Sequence, residues 1–416
     1  MQIQLEKIVD VEAVERQLAE LWRQTSGGSS ADDDFAVLRA RVANLLIYVA
    51  RESSLQEANG IIADLTAMHP SRVLLLLAEK EKTDHDIELS VETTCQTVKR
   101  GAKRLSCEEI TLQAAGSFVS ELPSAALPLL VPDLTTFLWW REGLAAEKDR
   151  PDEVLAALLR ASDRLVVDSA EFVDPYSDLQ ALTNLFNNPV YAHVGISDLN
   201  WARLTSWRAL LAGFYDVPAY RPLLESVDEV RIDYLAPEPL FASRQDSGAA
   251  AATVVAPQAL LAAGWLARRL GWSLTGEQTA GPNDETLVFD FSATDRGRPI
   301  KQQDRIPTVS EVFNERAIKL ELKHVEYAAG KPGRLVQIEL RSRSAAASFA
   351  VARSEDNLNL KAEARVKKNV HRGRVMPVRN RSAAQLLGRE MEILCNDRIY
   401  QEALMSAVRL IDHLEK

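Results

Sequence analysis

Two unbroken apolar runs, "RVANLLIYVA" (41–50) and "RVLLLLAE" (72–79), limit most what this chain can fold into. A strand wetted on one face alternates apolar and polar residues, whereas one covered on both faces does not. Between the two runs lies "SLQEANGIIADLTAM" (54–68), which reads as a helix stopped by Pro70. Buried strands joined by helices predict a parallel-rich sheet with helices on both faces. The pattern continues with strand-like "TTFLWW" (135–140) and "RLVVDSA" (164–170) around "PDEVLAALLRASD" (151–163), a helix with proline at its start.

A hairpin, 86–115, is inserted in that pattern. Ile87, Leu89 and Val91 share one face of its first strand, and Ile110, Leu112 and Ala114 one face of its second. Joining these faces sets Val91 opposite Ile110 and Leu89 opposite Leu112, with a two-residue turn at Arg100-Gly101. Cys95 then faces Ser106 and Cys107 faces Thr94, so the two thiols point to opposite sides of the sheet. A bulge near the turn would return them to one side.

Beyond this region, "LNWARLTSWRALLAGFYD" (199–216) places Leu204, Trp207, Leu211 and Phe214 on one helical face, with Asp198 or Asn200 as its cap. Arg203 and Arg208 fall outside that stripe, either as solvated flanks or as a clamp for an anion. A strand is expected at 227–235, a linker at 236–252 and a helix at 258–272. Strands at 286–292, 317–327, 334–341, 346–353 and 357–366, with a turn at "AAGKPGR" (328–334), predict an antiparallel meander before helical sequence at 382–414. The expected class is therefore α/β plus α+β. A parallel-rich sheet with helices on both faces and an inserted hairpin (41–170) precedes an α+β domain with the meander and C-terminal helices (171–416). Residues 1–40 form an N-terminal amphipathic helix, not a signal peptide, and a mobile loop at "TSGGSSADDD" (25–34).

The chemistry to be expected is mostly exclusion. A net charge of −10 speaks against general nucleic-acid binding, and no apolar run is long enough to span a membrane. Three cysteines in 416 residues point to a reducing compartment, the cytoplasm. No strand is followed by G-x-G-x-x-G, and there is no P-loop, H-E-x-x-H, C-x-x-C or G-x-S-x-G. The six histidines are scattered singly. No catalytic, cofactor-binding or metal-binding residue is nominated and no cofactor is expected, although a triad can assemble in space from distant residues. One stretch stands out, "KAEARVKKNVHRGRVMPVRNR" (361–381), with eight Lys/Arg and one Glu. It is either a solvated sheet edge, where lysines discourage strand addition, or a docking patch for an acidic protein surface or a phosphate. Cys395 follows Leu387, Met391 and Leu394 in an apolar stripe, most simply a buried and inert thiol.

Several segments in order carry a family resemblance: "MHPSRVLLL" (68–76), "CEEITLQA" (107–114), "DLTTFLWWRE" (133–142), the tryptophan segment, "GWLARRLGW" (264–272) and "RNRSAAQLLGREMEILCNDRIYQEAL" (379–404). From about residue 40 onward the chain resembles the OpcA family, the glucose-6-phosphate dehydrogenase assembly proteins of cyanobacteria and actinobacteria. The extended N-terminus is more similar to the cyanobacterial members. The resemblance implies a non-catalytic protein that binds glucose-6-phosphate dehydrogenase, promotes its active oligomer and raises its activity in the oxidative pentose phosphate pathway. In cyanobacteria it also implies a link to thiol redox state, with Cys95, Cys107 and Cys395 as redox candidates and thioredoxin as a further candidate partner. Partner-binding candidates are Trp139, Trp140, Trp201, Arg203, Arg208, Lys367, Lys368, Arg372 and Arg374, since Trp and Arg are enriched at interface hot spots. A redox-sensing adaptor and an enzyme of sugar-phosphate metabolism remain as alternatives.

Overall fold

A computed structural model of the chain describes residues 3–4, 10–26, 37–39, 41–97, 104–144, 151–236, 255–276, 279–280, 286–294, 315–326, 331–378, 381–393 and 395–414. The chain divides into two units. The first takes residues 1–172, 180–199 and 381–397; the second takes 173–179, 200–380 and 398–416. The expected turn at Arg100-Gly101 and linker at 236–252 lie largely or wholly outside the described residues.

In chain order the elements used below are α1 (Val11–Ser26), β1 (Ala43–Val49), α2 (Glu52–Thr66), β2 (Ser71–Glu79), β3 (His85–Thr97), β4 (Arg104–Ala115), β5 (Thr136–Trp140), α3 (Glu153–Arg160), β6 (Arg164–Val167), β7 (Gly195–Asp198), α4 (Leu199–Arg203), α5 (Thr205–Tyr215), β8 (Glu229–Leu235), α6 (Pro257–Leu270), β9 (Trp272–Leu274), β10 (Thr286–Thr294), β11 (Glu315–Val325), β12 (Leu335–Ser342), β13 (Ala347–Arg353), β14 (Asn359–Val366), β15 (Asn369–Pro377), α7 (Ala383–Glu392) and α8 (Arg398–Leu414).

The first unit is an α/β layer built on buried strands. Every residue of β1, β2, β5, β6 and β7 is buried, as the long apolar stretches within β1, β2 and β5 require; the short β6 and β7 are buried although β6 begins with Arg164 and β7 reads Gly-Ile-Ser-Asp. Six strands run in the order β4-β2-β1-β5-β6-β7, each parallel to its neighbour. The inserted hairpin adds β3 antiparallel to β4, with Val91 opposite Ile110 and Leu89 opposite Leu112 as the apolar faces demand. Cys95 stands opposite Ser106 and Cys107 opposite Thr94, so no cross-strand pairing of these thiols is set up by the register. Cys107 is buried and its Sγ lies 3.6 Å from the Thr66 carbonyl, which accepts its hydrogen.

One end of this sheet holds a buried charge cluster. The Glu108 carboxylate, 1% exposed, takes Arg72 Nε at 2.8 Å, Arg41 Nη2 at 2.5 Å and the Trp22 indole N–H at 3.3 Å. Arg72 also donates to the Leu129 carbonyl and meets Glu15 of α1 at 2.6 Å. A buried carboxylate is tolerable when several donors satisfy it, and here those donors hold α1 against the sheet.

The second unit is α+β. Its sheet runs β9-β10-β11-β8-β12-β13-β14-β15. The expected meander is interrupted: β8 enters between β11 and β12, parallel to the first and antiparallel to the second. The segment 331–334 therefore does not close a simple hairpin. It passes the end of β8, where Gly333, at φ +73°, and Arg334 exchange hydrogen bonds with Leu235. Only a central strand has both edges to satisfy, which explains why β8 takes partners on each side. The sheet-edge reading of 361–381 matches the structure, which adds a strand outside the expected set: β15 pairs antiparallel with β14 and forms the edge.

The inner face of this sheet is apolar. Phe349 of β13 meets Phe214 of α5 and Tyr220, each at 5.3 Å between ring centroids. The tryptophan segment forms two helices, α4 and α5, separated at Leu204, and not the single helix expected. Its predicted stripe is buried throughout: Leu204, Trp207, Leu211 and Phe214 are at most 5% exposed. Helix α6 is apolar almost all round and is buried, as that pattern predicts. It crosses α8 at Gly264, where an added Cβ would stand 2.3 Å from the Ala403 carbonyl oxygen.

This contact yields a test in which two effects oppose. Alanine is intrinsically better than glycine in a helix by about 1 kcal/mol. The Cβ, however, would force α6 and α8 apart, and overpacking of a close contact costs about 1–3 kcal/mol. Gly264→Ala should therefore lower stability in urea denaturation. A rise in the unfolding midpoint would show that the helices do not meet there.

Candidate functional site

The parallel strands of the first unit define where a site would form. Numbered along the chain, β1, β2, β4, β5, β6 and β7 occupy the spatial order 3-2-1-4-5-6. That is the doubly wound dinucleotide-binding topology, in which the cofactor lies at the C-terminal strand ends where the order reverses. Here the reversal falls between β1 and β5. One crossover departs from the usual plan: the antiparallel strand β3, and no helix, leads from β2 into β4.

Among the described residues, aromatic side chains of the protein itself pack at that reversal. Tyr48 of β1 and Trp140 of β5 stack face to face, 3.9 Å between centroids and 6° from parallel, both at most 2% exposed. The Trp140 indole donates to the Gly143 carbonyl at 3.2 Å, which locks the ring. Burial, then the nearby Asp152 and Glu142 carboxylates, push the Tyr48 hydroxyl well above its ordinary pKa. Among the described residues that hydroxyl has no hydrogen-bond partner.

One backbone donor of the first strand-to-helix turn is occupied, while the N-terminus of α2 itself carries no side-chain cap. A dinucleotide site needs glycines in the first strand-to-helix turn, so that phosphate can approach the backbone. In this chain the turn reads Ala50-Arg51, and the Ala50 N–H donates to Glu142 Oε1 at 2.9 Å. The N-terminus of α3 is capped by Asp152, which accepts from Val154 and Leu155 and pairs with Lys80. Two carboxylates thus stand where a cofactor would bring its own negative charge. Glu79, at the end of β2 where a ribose-binding acid would sit, is buried and takes Gln113 and Lys82. Arg141 seals the side of the crevice: it donates to the Ser54 carbonyl, pairs with Glu57 and Glu171, and lies 5.0 Å over the Trp139 ring.

The structure places the nominated residues in several different settings. Trp139 and Trp140 are both buried in β5 on opposite faces of the sheet, and only Trp140 joins the Tyr48 stack. Trp201 is buried too, and Arg208 stacks on its ring at 3.7 Å, with Tyr400 at 5.6 Å on a further contact. Arg208 is thus a half-buried partner of Trp201 and not a solvated flank; Arg203 is half-buried as well. Lys367 and Lys368 form the exposed turn between β14 and β15, with Lys367 at φ +56°, and Arg374 is exposed on β15. Arg372 lies in β15 opposite Glu363. Cys395 corrects the expected buried stripe: α7 stops at Glu392, Ile393 is extended, and Cys395 is exposed. Its carbonyl is held by Arg164 Nη2 at 2.9 Å.

Among the described residues no His, Cys, Asp and Glu group could hold a metal ion, and no helix is long and apolar enough to cross a membrane. The filled crevice was missed from sequence because its signal is distributed: an aromatic residue near the end of each of two strands that only topology makes adjacent.

Removing the Tyr48 hydroxyl deletes a buried polar group without a partner. Tyr48→Phe should therefore leave stability unchanged or raise it by up to about 1 kcal/mol. Tyr48→Ala should lose about 3–5 kcal/mol by emptying the stack. Both are read by thermal and urea denaturation. A Phe variant as damaged as the Ala variant would contradict the arrangement.

Comparison with known proteins agrees with a chain built from two parts. Residues 62–184 match the family model described as the glucose-6-phosphate dehydrogenase subunit N-terminal domain, and residues 194–404 match that for its C-terminal domain. The OxPP cycle protein OpcA of Nostoc punctiforme is 32% identical over 59% of this chain and 48% of its own length. OpcA of Synechocystis sp. is 26% identical over 85% of this chain and 66% of its own length. The chain thus spans about half of the Nostoc relative. Among solved structures, glucose-6-phosphate 1-dehydrogenase from Mycobacterium avium is 10% identical with a TM-score of 0.44, covering 90% of this chain and 92% of that one. An oxidoreductase domain protein from Kribbella flavida is 13% identical with a TM-score of 0.45, covering 90% and 96%. Scores below 0.5 do not establish a shared fold. The two family models together extend over most of the sequence, and the chain belongs to the OpcA family.

Proposed function

We propose that this protein is a non-catalytic assembly factor that binds glucose-6-phosphate dehydrogenase, favours its active oligomer and raises its activity. The observation that carries the reading is the self-filled crevice: a dinucleotide topology whose binding position holds the Tyr48–Trp140 stack and the Glu142 and Asp152 carboxylates. Hydride transfer needs a bound nicotinamide, and the Glu142 and Asp152 carboxylates at this position disfavour its phosphates. The descriptions of the matching family models name the dehydrogenase as the associated enzyme. The proposed setting is the cytoplasm and the oxidative pentose phosphate pathway.

The basic hairpin β14–β15 is the proposed site of electrostatic docking. Lys361, Arg365, Lys367, Lys368 and Arg374 are exposed on it, in a chain whose net charge is −10. A local excess of positive charge on an acidic protein steers an acidic partner and mainly raises the association rate. Its place on a sheet edge also suits a guard against strand addition. The thiol-switch reading rests on the exposed Cys395 alone among the described thiols, because Cys107 is buried; thioredoxin as a partner depends on the same thiol.

Two experiments test the proposal. The purified chain should show no oxidation of glucose 6-phosphate with NADP alone, and should raise the rate when the dehydrogenase is added. Turnover without the dehydrogenase would make it an enzyme instead. Reversing Lys367, Lys368 and Arg372 to Glu should slow association and flatten its salt dependence in surface plasmon resonance, with circular dichroism checking that the variant folds; the exposed Lys367 and Lys368 contribute little to stability. Unchanged rates at low and high salt would leave the hairpin only its edge-guarding role.

A further inference from the structure

The face of the second sheet opposite its apolar core carries an ordered lattice of charge. Strand β11 presents Lys319, Glu321 and Lys323, and its neighbour β8 presents Glu229, Arg231 and Asp233, each residue level with its counterpart. The signs are plus, minus, plus against minus, plus, minus. On the other side of β8, Arg341, Glu339 and Gln337 of β12 again oppose it in sign or are neutral. Strand β13 then contributes only Ser348, Ala350 and Ala352, a stripe of small side chains between charged rows. Beyond it, β14 restores plus, minus, plus with Arg365, Glu363 and Lys361.

These charges are already paired along their own strands: Arg231 with Asp233 at 2.7 Å, Lys319 with Glu321 at 3.1 Å, Arg341 with Glu339 at 2.7 Å. Pairing lowers the cost of taking them out of water. Yet the face is partly open: the Lys319 and Arg341 side chains are each 41% exposed and that of Arg365 is 65% exposed. Six strands at about 4.8 Å spacing, with three outward residues each, make a plate of roughly 29 by 20 Å. That flat footprint, on the order of 600 Å², approaches one side of a standard interface once side-chain relief is included.

We propose that this face binds the same face of a second copy of the chain, about a two-fold axis that runs parallel to the strands between β8 and β12. The complementarity follows from register. Such an axis sets Arg231 against Glu339 of the other copy, and Glu229 against Arg341. It sets the long side chains of β11 over the small stripe of β13. It also brings Asp290 of β10, which is level with Lys319, over Arg365. An axis across the strands would oppose each strand to itself and place Arg231 against Arg231. An axis along β8 would place Glu321 against Glu339. Like charges in contact disfavour these alternatives.

The symmetry supplies a test that does not depend on any one variant folding well. In analytical ultracentrifugation the wild-type chain should sediment as a dimer that weakens as salt rises. Arg231→Glu alone places Glu against Glu twice per dimer, and Glu339→Arg alone places Arg against Arg twice. Each should weaken dimerisation about tenfold or more. Mixing the two variants restores opposite charges at both positions, so the mixture should form a heterodimer that neither makes alone. Circular dichroism checks that each is folded. A monomeric wild type, a single variant that dimerises like wild type, or a mixture that fails to recover would each overturn the proposal. A monomeric wild type whose activation of the dehydrogenase is abolished by Arg231→Glu would assign the face to a different protein.

Discussion

The stacking of Tyr48 on Trp140 sits at the one place where the first sheet reverses its strand order, and the character of the unit follows from it. An open α/β sheet of this order leaves a crevice at the reversal, and water or ligand must fill it unless side chains do. Two large rings in van der Waals contact, with the Trp140 indole bonded to a backbone carbonyl, fill it with the protein's own groups. The Glu142 carboxylate then takes the Ala50 N–H of the first turn, and Asp152 caps α3. The strand order is that of a cofactor-binding domain, and a buried aromatic pair stands at its reversal.

The lack of a glycine-rich turn explains why this topology is not legible in the sequence. The apolar runs of β1 and β2 announce buried parallel strands, and the alternation in the hairpin fixes the register of Leu89 and Val91 correctly. Strand order is a different kind of information. It is usually inferred from the glycine-rich turn that accompanies it, and here Ala50-Arg51 stands in that turn. The short strand β7, four residues long, carries too little pattern to identify. The basic stretch that holds β15 allows a sheet edge or a docking patch from sequence alone, and the pairing of 369–377 with β14 is visible only in the structure. The expected burial of Cys395 failed because helical periodicity was extended past Glu392, where the backbone turns extended.

The second sheet shows the same division. Its inner face was readable because apolar residues alternate along β12, β13 and β14. The insertion of β8 between β11 and β12 was not, because a strand distant in sequence joins a meander without marking it. The outward charges have no meaning read strand by strand, since each strand simply alternates as a solvated face should. Only the register aligns them into rows of alternating sign.

If the reversal point is closed, the chain cannot hold a nicotinamide dinucleotide. Isothermal titration of the purified chain with NADP and with NAD measures this directly, without a partner protein or substrate. The filled crevice predicts no saturable heat for either nucleotide at millimolar concentration. A single-site isotherm in the micromolar range, lost on Trp140→Ala or Glu142→Arg, would show that the crevice opens to cofactor and would contradict the account.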